Sequence, residues 1–158
     1  MGALLLALLL LASLSTGYHP VGYMRGISLD IDPAFGPRVS AASVSICWNG
    51  SCRTPFVELS RATEVVDMGC DGGTCVGQVA LRAGKYARIV VPDLSPEPVR
   101  VTLNLADAAG SSLLAQTIEV TPKMVGPWYR RNGGPQAHLE VTANGTFREA
   151  PPKRSGRP

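Results

Sequence analysis

Apolar and polar residues alternate with a period of two along much of this chain, most plainly in VRVTLNL, residues 99 to 105. Val99, Val101, Leu103 and Leu105 share one parity, and Arg100, Thr102 and Asn104 share the other. Successive side chains of a strand point to opposite faces, so this spacing predicts a strand with one buried face. LLAQTIEV follows, with Leu114, Gln116, Ile118 and Val120 on one parity and Ala115, Thr117 and Glu119 on the other. Between the two runs, ADAAGSS supplies Asp107 and Gly110 for a reversal, which predicts a β-hairpin.

The same period recurs elsewhere. ISLDID (27–32) alternates Ile27, Leu29 and Ile31 with Ser28, Asp30 and Asp32. SVSICW (43–48) places Val44, Ile46 and Trp48 on one face, YARIVV (86–91) reads as a buried strand, and AHLEV (137–141) precedes an Asn144-Gly145 turn. Adding TEVVDM and VGQVAL brings the count to eight or nine strands. Beyond the first segment, no stretch of a dozen residues carries a 3.6-residue apolar stripe. Seventeen glycines and thirteen prolines fit a chain of short strands punctuated by turns. The expected fold class is therefore all-β: an antiparallel, immunoglobulin-like β-sandwich of about seven to nine strands over residues 26–149. With 158 residues, 45% of them hydrophobic, the chain can close one core without a second domain.

The first segment breaks this rhythm. Ala3 to Leu14 read ALLLALLLLASL, which as a helix would reach roughly 18 Å against the ~30 Å of a hydrocarbon core. Small residues, SLSTG, follow it. This is the pattern of a signal peptide, although no Lys or Arg precedes the apolar run. Residues 1–17 are expected to be a signal peptide or weak membrane anchor, with membrane attachment possible through residues 3–14. Residues 18–25 then form a linker, and the protein is secreted or associated with the cell envelope. No cysteine follows the leader to accept a lipid, and MGALLL lacks the Ser or Thr that favours myristoylation.

Export governs the four cysteines, which stand as CWNGSC (47–52) and CDGGTC (70–75). Outside a reducing cytosol, such residues normally form disulfides. Asn49-Gly50 suits a two-residue type I′ turn, which would place Trp48 opposite Ser51 and Cys47 opposite Cys52. Gly72 and Gly73 repeat the arrangement, with Asp71 facing Thr74 and Cys70 facing Cys75. Local pairing is favoured, while pairing Cys47 with Cys70 or Cys75 stays open. A four-thiolate zinc site is the sharper alternative, but its usual spacing is closer and no histidine lies nearby. A redox centre would be Cys-x-x-Cys at a helix start, which neither pair provides. No metal or cofactor is expected.

Charge changes the picture little. Lys153, Arg154 and Arg157 of the terminal APPKRSGRP account for the net +3, leaving a body with twelve basic and twelve acidic residues. Residues 150–158 are expected to be a disordered basic tail. Without a basic stripe on the folded part, nucleic acid is not an expected partner. Candidate chemistry is sparse. His138 falls on the wet face of its strand, Asp30 and Asp32 share a strand face, and no G-x-S-x-G motif occurs. Asn49-Gly-Ser and Asn144-Gly-Thr match the N-glycosylation acceptor pattern but are also ordinary hairpin turns. No catalytic residue is assigned. The segment MVGPWYRRNGGPQ (124–136) instead gathers Trp128, Tyr129, Arg130 and Arg131, residue types enriched in binding hot spots, into a candidate contact loop.

The short leader, SICWNGSC, the VRVTLNLADAAG…TIEVTPK pair and the late GGPQAHLEVTANGTF together resemble uncharacterised secreted or membrane-attached β-sandwich proteins of actinobacterial type. The resemblance spans most of residues 26–149 and implies no activity. Proteins of that group often carry further cysteines in the loop before the last strand, where this chain has WYRRNGG. The functional expectation is a non-enzymatic binding or assembly module of the cell envelope, whose partner is an envelope protein or surface ligand. The alternatives are an exported hydrolase built from Asp30, Asp32 and His138, or a purely structural subunit of an envelope complex.

Overall fold

A computed structural model describes residues 25–125 and 133–151 (for residues 65, 67, 68, 71 and 75, the backbone alone). The expected leader, nearly all of the linker, the Trp128–Arg131 loop and the tail beyond residue 151 lie outside the described residues. The described chain is all-β. Its strands are β1 (Gly26–Ile31), β2 (Ala41–Trp48), β3 (Ser51–Arg53), β4 (Ser60–Asp71), β5 (Thr74–Val90), β6 (Val99–Ala106), β7 (Ser112–Val120), β8 (Lys123–Val125), β9 (Gly134–Val141) and β10 (Phe147–Glu149). A single 3-10 turn, Gly36–Arg38, follows β1. Ten strands exceed the expected seven to nine because β3, β8 and β10 have three residues each, too few for alternation to register.

Two sheets share these strands. The larger runs β10–β9–β1–β5–β4, with β8 on the first half of β9, and the smaller runs β3–β2–β6–β7. One pairing departs from the antiparallel expectation: β1 lies parallel to β9, with Gly26 opposite Gln136 and Ile31 opposite Val141. A parallel pair needs a long connection between its strands, and here nearly the whole chain serves as that connection. Alternation along single strands carries no information about it.

The parity read from the sequence sets the core. From the larger sheet, Ile27, Leu29, Ile31, Ala87, Ile89, Leu139 and Val141 are buried. From the smaller, Val44, Ile46, Val99, Val101, Leu103 and Leu105 meet them, and Phe35, Val39 and Leu94 of the connections join the same cluster. No polar residue is buried among the described residues. β5 corrects one expectation. Its YARIVV segment is half-buried rather than buried, because Ala87 and Ile89 face inward while Arg88 and Val90 face solvent.

The turns follow their residues. Asn49 and Gly50 both take positive φ, 49° and 75°, as a type I′ turn demands. Trp48 stands opposite Ser51, and Cys47 is disulfide-bonded to Cys52 with Cα atoms 4.0 Å apart. Trp48 packs on the edge of the core with the Arg53 guanidinium 5.3 Å from its ring. At the β6–β7 reversal, the Asp107 carboxylate accepts hydrogen bonds from the backbone N–H groups of Ala109 and Ser111.

The second cysteine hairpin goes further than the sequence implied. β4 and β5 pair from Ser60↔Tyr86 to Asp71↔Thr74, whereas β1 reaches only Lys85 to Val90 of β5. Residues 63–81 therefore form a two-stranded ribbon projecting beyond the sandwich. The pairing shifts between Arg61 and Thr63, where β5 makes extra length around Gly84. A lone two-stranded ribbon is marginal in water, so this arm depends on its tip. There, Cys70 is disulfide-bonded and stands in register with Cys75.

Closing a six-residue loop contributes about 2 kcal/mol on the chain-entropy model. Replacing Cys70→Ser together with Cys75→Ser should accelerate amide exchange along residues 63–81, while the amides of β6 keep their protection. Exchange followed residue by residue checks this; uniform loss of protection would mean that the arm and sandwich open as one unit.

Candidate functional site

The outer face of the larger sheet carries an open trough lined by polar and charged side chains. β1 is the centre of it. Its inward residues fill the core, so Ser28 and Asp30 are turned outward. On one side β9 presents Gln136, His138 and Glu140; on the other β5 presents Tyr86 and Arg88. The registers join these residues into rows. His138, Ser28 and Arg88 form one row across three strands, and Glu140, Asp30 and Tyr86 form the next. Neighbouring strands lie about 4.8 Å apart, so each row gathers three side chains within about 10 Å.

Apart from Glu140, these residues line an open trough of about 450 Å³, bordered on the β4 side by Ala62 and Thr63. Gly26 also lines it, with φ 147° and so close to β5 that an added Cβ would meet the Ile89 carbonyl oxygen at 2.0 Å. Only glycine lets β1 lie that close to β5 there. Within the trough, the Ser28 hydroxyl and His138 Nδ1 share a hydrogen bond. Arg88 is exposed and makes no ion pair or hydrogen bond with the described residues. Glu140, by contrast, is held by Arg148 at 2.6 Å, so its charge is balanced at the trough's end.

Asp30 and His138 thus line one trough, while Asp32 does not. The Asp32 carboxylate accepts the Ala34 N–H at 2.8 Å in the turn after β1. Ser28 beside His138 has the composition of a nucleophile and base. Its surroundings differ from those of an acyl-transfer site, which places its serine on a strained turn beside free N–H groups. Ser28 sits in regular backbone, and β1 is laddered to β5 on one edge and β9 on the other. Those ladders occupy the N–H groups that an oxyanion would need. What the trough offers is a mixture of hydrogen-bond donors and acceptors around a cation.

No family model, curated protein or solved structure matches this chain. Among the described residues, no cluster of three or more His, Cys, Asp or Glu side chains could hold a metal ion.

Of the residues singled out in the sequence, Trp128, Tyr129, Arg130 and Arg131 lie outside the described residues, but the ends of their segment do not. Val125 and Gly134 are cross-strand partners, and Gly134 lies two residues from Gln136 of the trough. Ser28, Tyr86, Arg88 and Gln136 were not picked out in the sequence. Each strand's outward parity was visible, and only the pairing of β1 with β5 and β9 assembles them.

A second exposed feature is the arm. Val79 and Leu81, two residues apart on one face of the ribbon, are 64% and 67% exposed, and Val66 and Val76 are also open to solvent. Neither outer edge of the ribbon is paired over residues 63–81 among the described strands. Exposed apolar side chains and unpaired strand edges coincide here, as they also do at Met124 of β8.

Because Arg88 and His138 project from the wet face, Arg88→Ala and His138→Ala should each change folding stability by no more than about 0.5 kcal/mol. Urea unfolding midpoints measure this. A larger loss would assign these side chains a structural part and remove them as clean probes of binding.

Proposed function

We propose that this chain is a non-enzymatic binding module of the cell envelope, engaging its ligand on the open face of the larger sheet. The observation that carries this reading is the polar trough across β9, β1 and β5, with Arg88 unpartnered among the described residues. A disulfide-closed hairpin at Cys47 and Cys52 agrees with an oxidising location. So does the apolar leader, and no helix among the described residues is long and apolar enough to cross a membrane. The ladders on both edges of Ser28 favour binding over acyl-transfer chemistry. The Trp128–Arg131 segment, which stands between Val125 and Gly134 in the sequence, is proposed as an extension of the same contact surface.

The finer fold assignment is also a proposal. Two packed sheets, with the first strand parallel to a late one, support an immunoglobulin-like description. The position of β1 between β5 and β9 differs from the usual ABED and CFG order. Kinship with secreted actinobacterial-type β-sandwich proteins rests on the sequence patterns alone.

The purified mature chain should co-sediment with envelope fractions. Combining Arg88→Ala with Tyr86→Ala should weaken retention at least about tenfold, in line with loss of two central contacts. Equal retention of the double variant would overturn the trough as the contact face. No retention on any envelope fraction would overturn the binding module.

The arm favours a second reading, that of a structural subunit in an envelope complex, because Val66, Val76, Val79 and Leu81 are left in water. On this reading, Val79→Ser with Leu81→Ser abolishes a complex captured by cross-linking in intact envelopes and leaves trough binding intact. An unchanged cross-linking pattern would count against it.

A further inference from the structure

We propose that Asn49 is a site of spontaneous deamidation, converted to aspartate and isoaspartate through its neighbour Gly50, and that a second hairpin step of the same composition, Asn144-Gly145, is protected by its fold. Both steps stand at strand reversals, the first between β2 and β3 and the second between β9 and β10. The chemistry belongs to the pair itself. The Gly50 nitrogen gives up its proton to hydroxide and bonds to the Asn49 side-chain carbonyl carbon. The bond from that carbon to the amide nitrogen breaks, and the amide takes up a proton and leaves as ammonia. Water then adds to either carbonyl of the cyclic imide, and the ring C–N bond on that side breaks. Opening at the side-chain carbonyl gives aspartate, and opening at the main-chain carbonyl gives isoaspartate. Water is the co-reactant, and glycine, lacking a Cβ, leaves its nitrogen open to approach.

What separates the two steps is how their atoms are held. At the β9–β10 reversal, the Gly145 N–H donates to the Thr142 carbonyl oxygen at 2.9 Å, so the nucleophile is occupied. The Asn144 side-chain oxygen accepts from the hydroxyls of Thr142 and Thr146, and the Gly145 carbonyl oxygen accepts from the Gln116 amide at 3.2 Å. Gly145 also packs on Phe35, whose ring an added Cβ would meet at 2.8 Å. Attack there requires several of these bonds to break together. At the β2–β3 reversal, Asn49 and Gly50 are exposed, and nothing lies within 4 Å of a Cβ placed on Gly50. Neither the Asn49 side chain nor the Gly50 N–H is hydrogen-bonded to a described residue. Asn49 is also held at positive φ, a region that residues with a side chain occupy at a cost. Opening this turn therefore gives up less than opening the other. Aspartate is the product that the fold accepts, because Asp-Gly suits a type I′ turn as Asn-Gly does. Its carboxylate puts a negative charge on CWNGSC, which otherwise carries none.

The test incubates the full-length chain, disulfides intact, in mildly alkaline buffer and maps its peptides by mass spectrometry, with isoaspartate read by enzymatic methyl labelling. Cleavage at arginine isolates Asn49 on residues 39–53 and leaves Asn144 with Asn132 on residues 132–148, so fragment spectra assign the position there. Asn49 should convert at least about tenfold faster than Asn144, in line with two or more hydrogen bonds held at one step and none at the other. In denaturant with the disulfides reduced, the two steps should convert at similar rates, since both are Asn-Gly and folding alone tells them apart. Asn49→Asp should keep the circular dichroism of the folded chain and co-elute with the aspartate product. Conversion of Asn144 as fast as Asn49 in the folded chain, or no conversion at Asn49, overturns the proposal. The same difference persisting in the unfolded chain overturns its structural cause. Loss of folded structure in Asn49→Asp overturns the assignment of aspartate as a product that the turn accepts.

Discussion

The structure turns on one strand being hydrogen-bonded along both edges. β1 pairs antiparallel with β5 and parallel with β9, in continuous register from Gly26 to Ile31. That double ladder draws the start and the end of the described chain into one sheet. It also fixes which side of β1 is dry. A slip of one residue would put Ser28 and Asp30 into the core and Ile27, Leu29 and Ile31 into water. Nothing in the core could satisfy those polar groups, since no polar residue is buried among the described residues. The register is therefore held by the cost of the alternative, and the trough is a direct consequence of that register.

Stability and the proposed recognition consequently occupy opposite faces of the same strands. Leu29, Ala87 and Leu139 pack inward, and Asp30, Arg88 and His138, one residue further on in the first two strands and one earlier in the third, point out. The inner set tolerates little change, because removing buried methylenes from a close-packed core is costly. The outer set is free to vary without disturbing it. A sheet with this division can change the chemistry of its outer face by substitution on one parity alone, which is how many functions come to share one scaffold.

Much of the fold was legible in single strands and little of the site was. VRVTLNL and LLAQTIEV gave their boundaries, faces and reversal through alternation and Asp107, and Asn49-Gly50 gave the turn, with the register of Cys47 and Cys52 following. These features are local, set by residues within a dozen positions of each other. Ser28 and His138 are 110 residues apart, and their contact depends on strand order, which period-two patterning does not encode. The parallel partner of β1 was missed for the same reason. TEVVDM and VGQVAL were visible as strands, yet their projection as an arm follows from β1 stopping at the Ile31↔Lys85 rung, a fact about a third strand.

The cysteines illustrate how position within the fold determines what a disulfide contributes. A bridge between the two sheets would close a long loop and restrain the whole unfolded chain. Here Cys47–Cys52 closes a turn at the edge of the smaller sheet, and Cys70 sits at the tip of the arm. None of Cys47, Cys52 and Cys70 belongs to the buried cluster, so the sandwich is held chiefly by its buried aliphatic side chains, and only the bond of Cys70 acts on a projection. Reduction would accordingly loosen the arm before the sandwich. Oxidation of Cys70 matters for this molecule chiefly because it keeps a ribbon with exposed Val79 and Leu81 in a defined shape. Without that restraint, unpaired strand edges carrying apolar side chains become templates for indiscriminate pairing. The staple at the tip is thus best understood as a guard on the part of the fold that the core cannot reach.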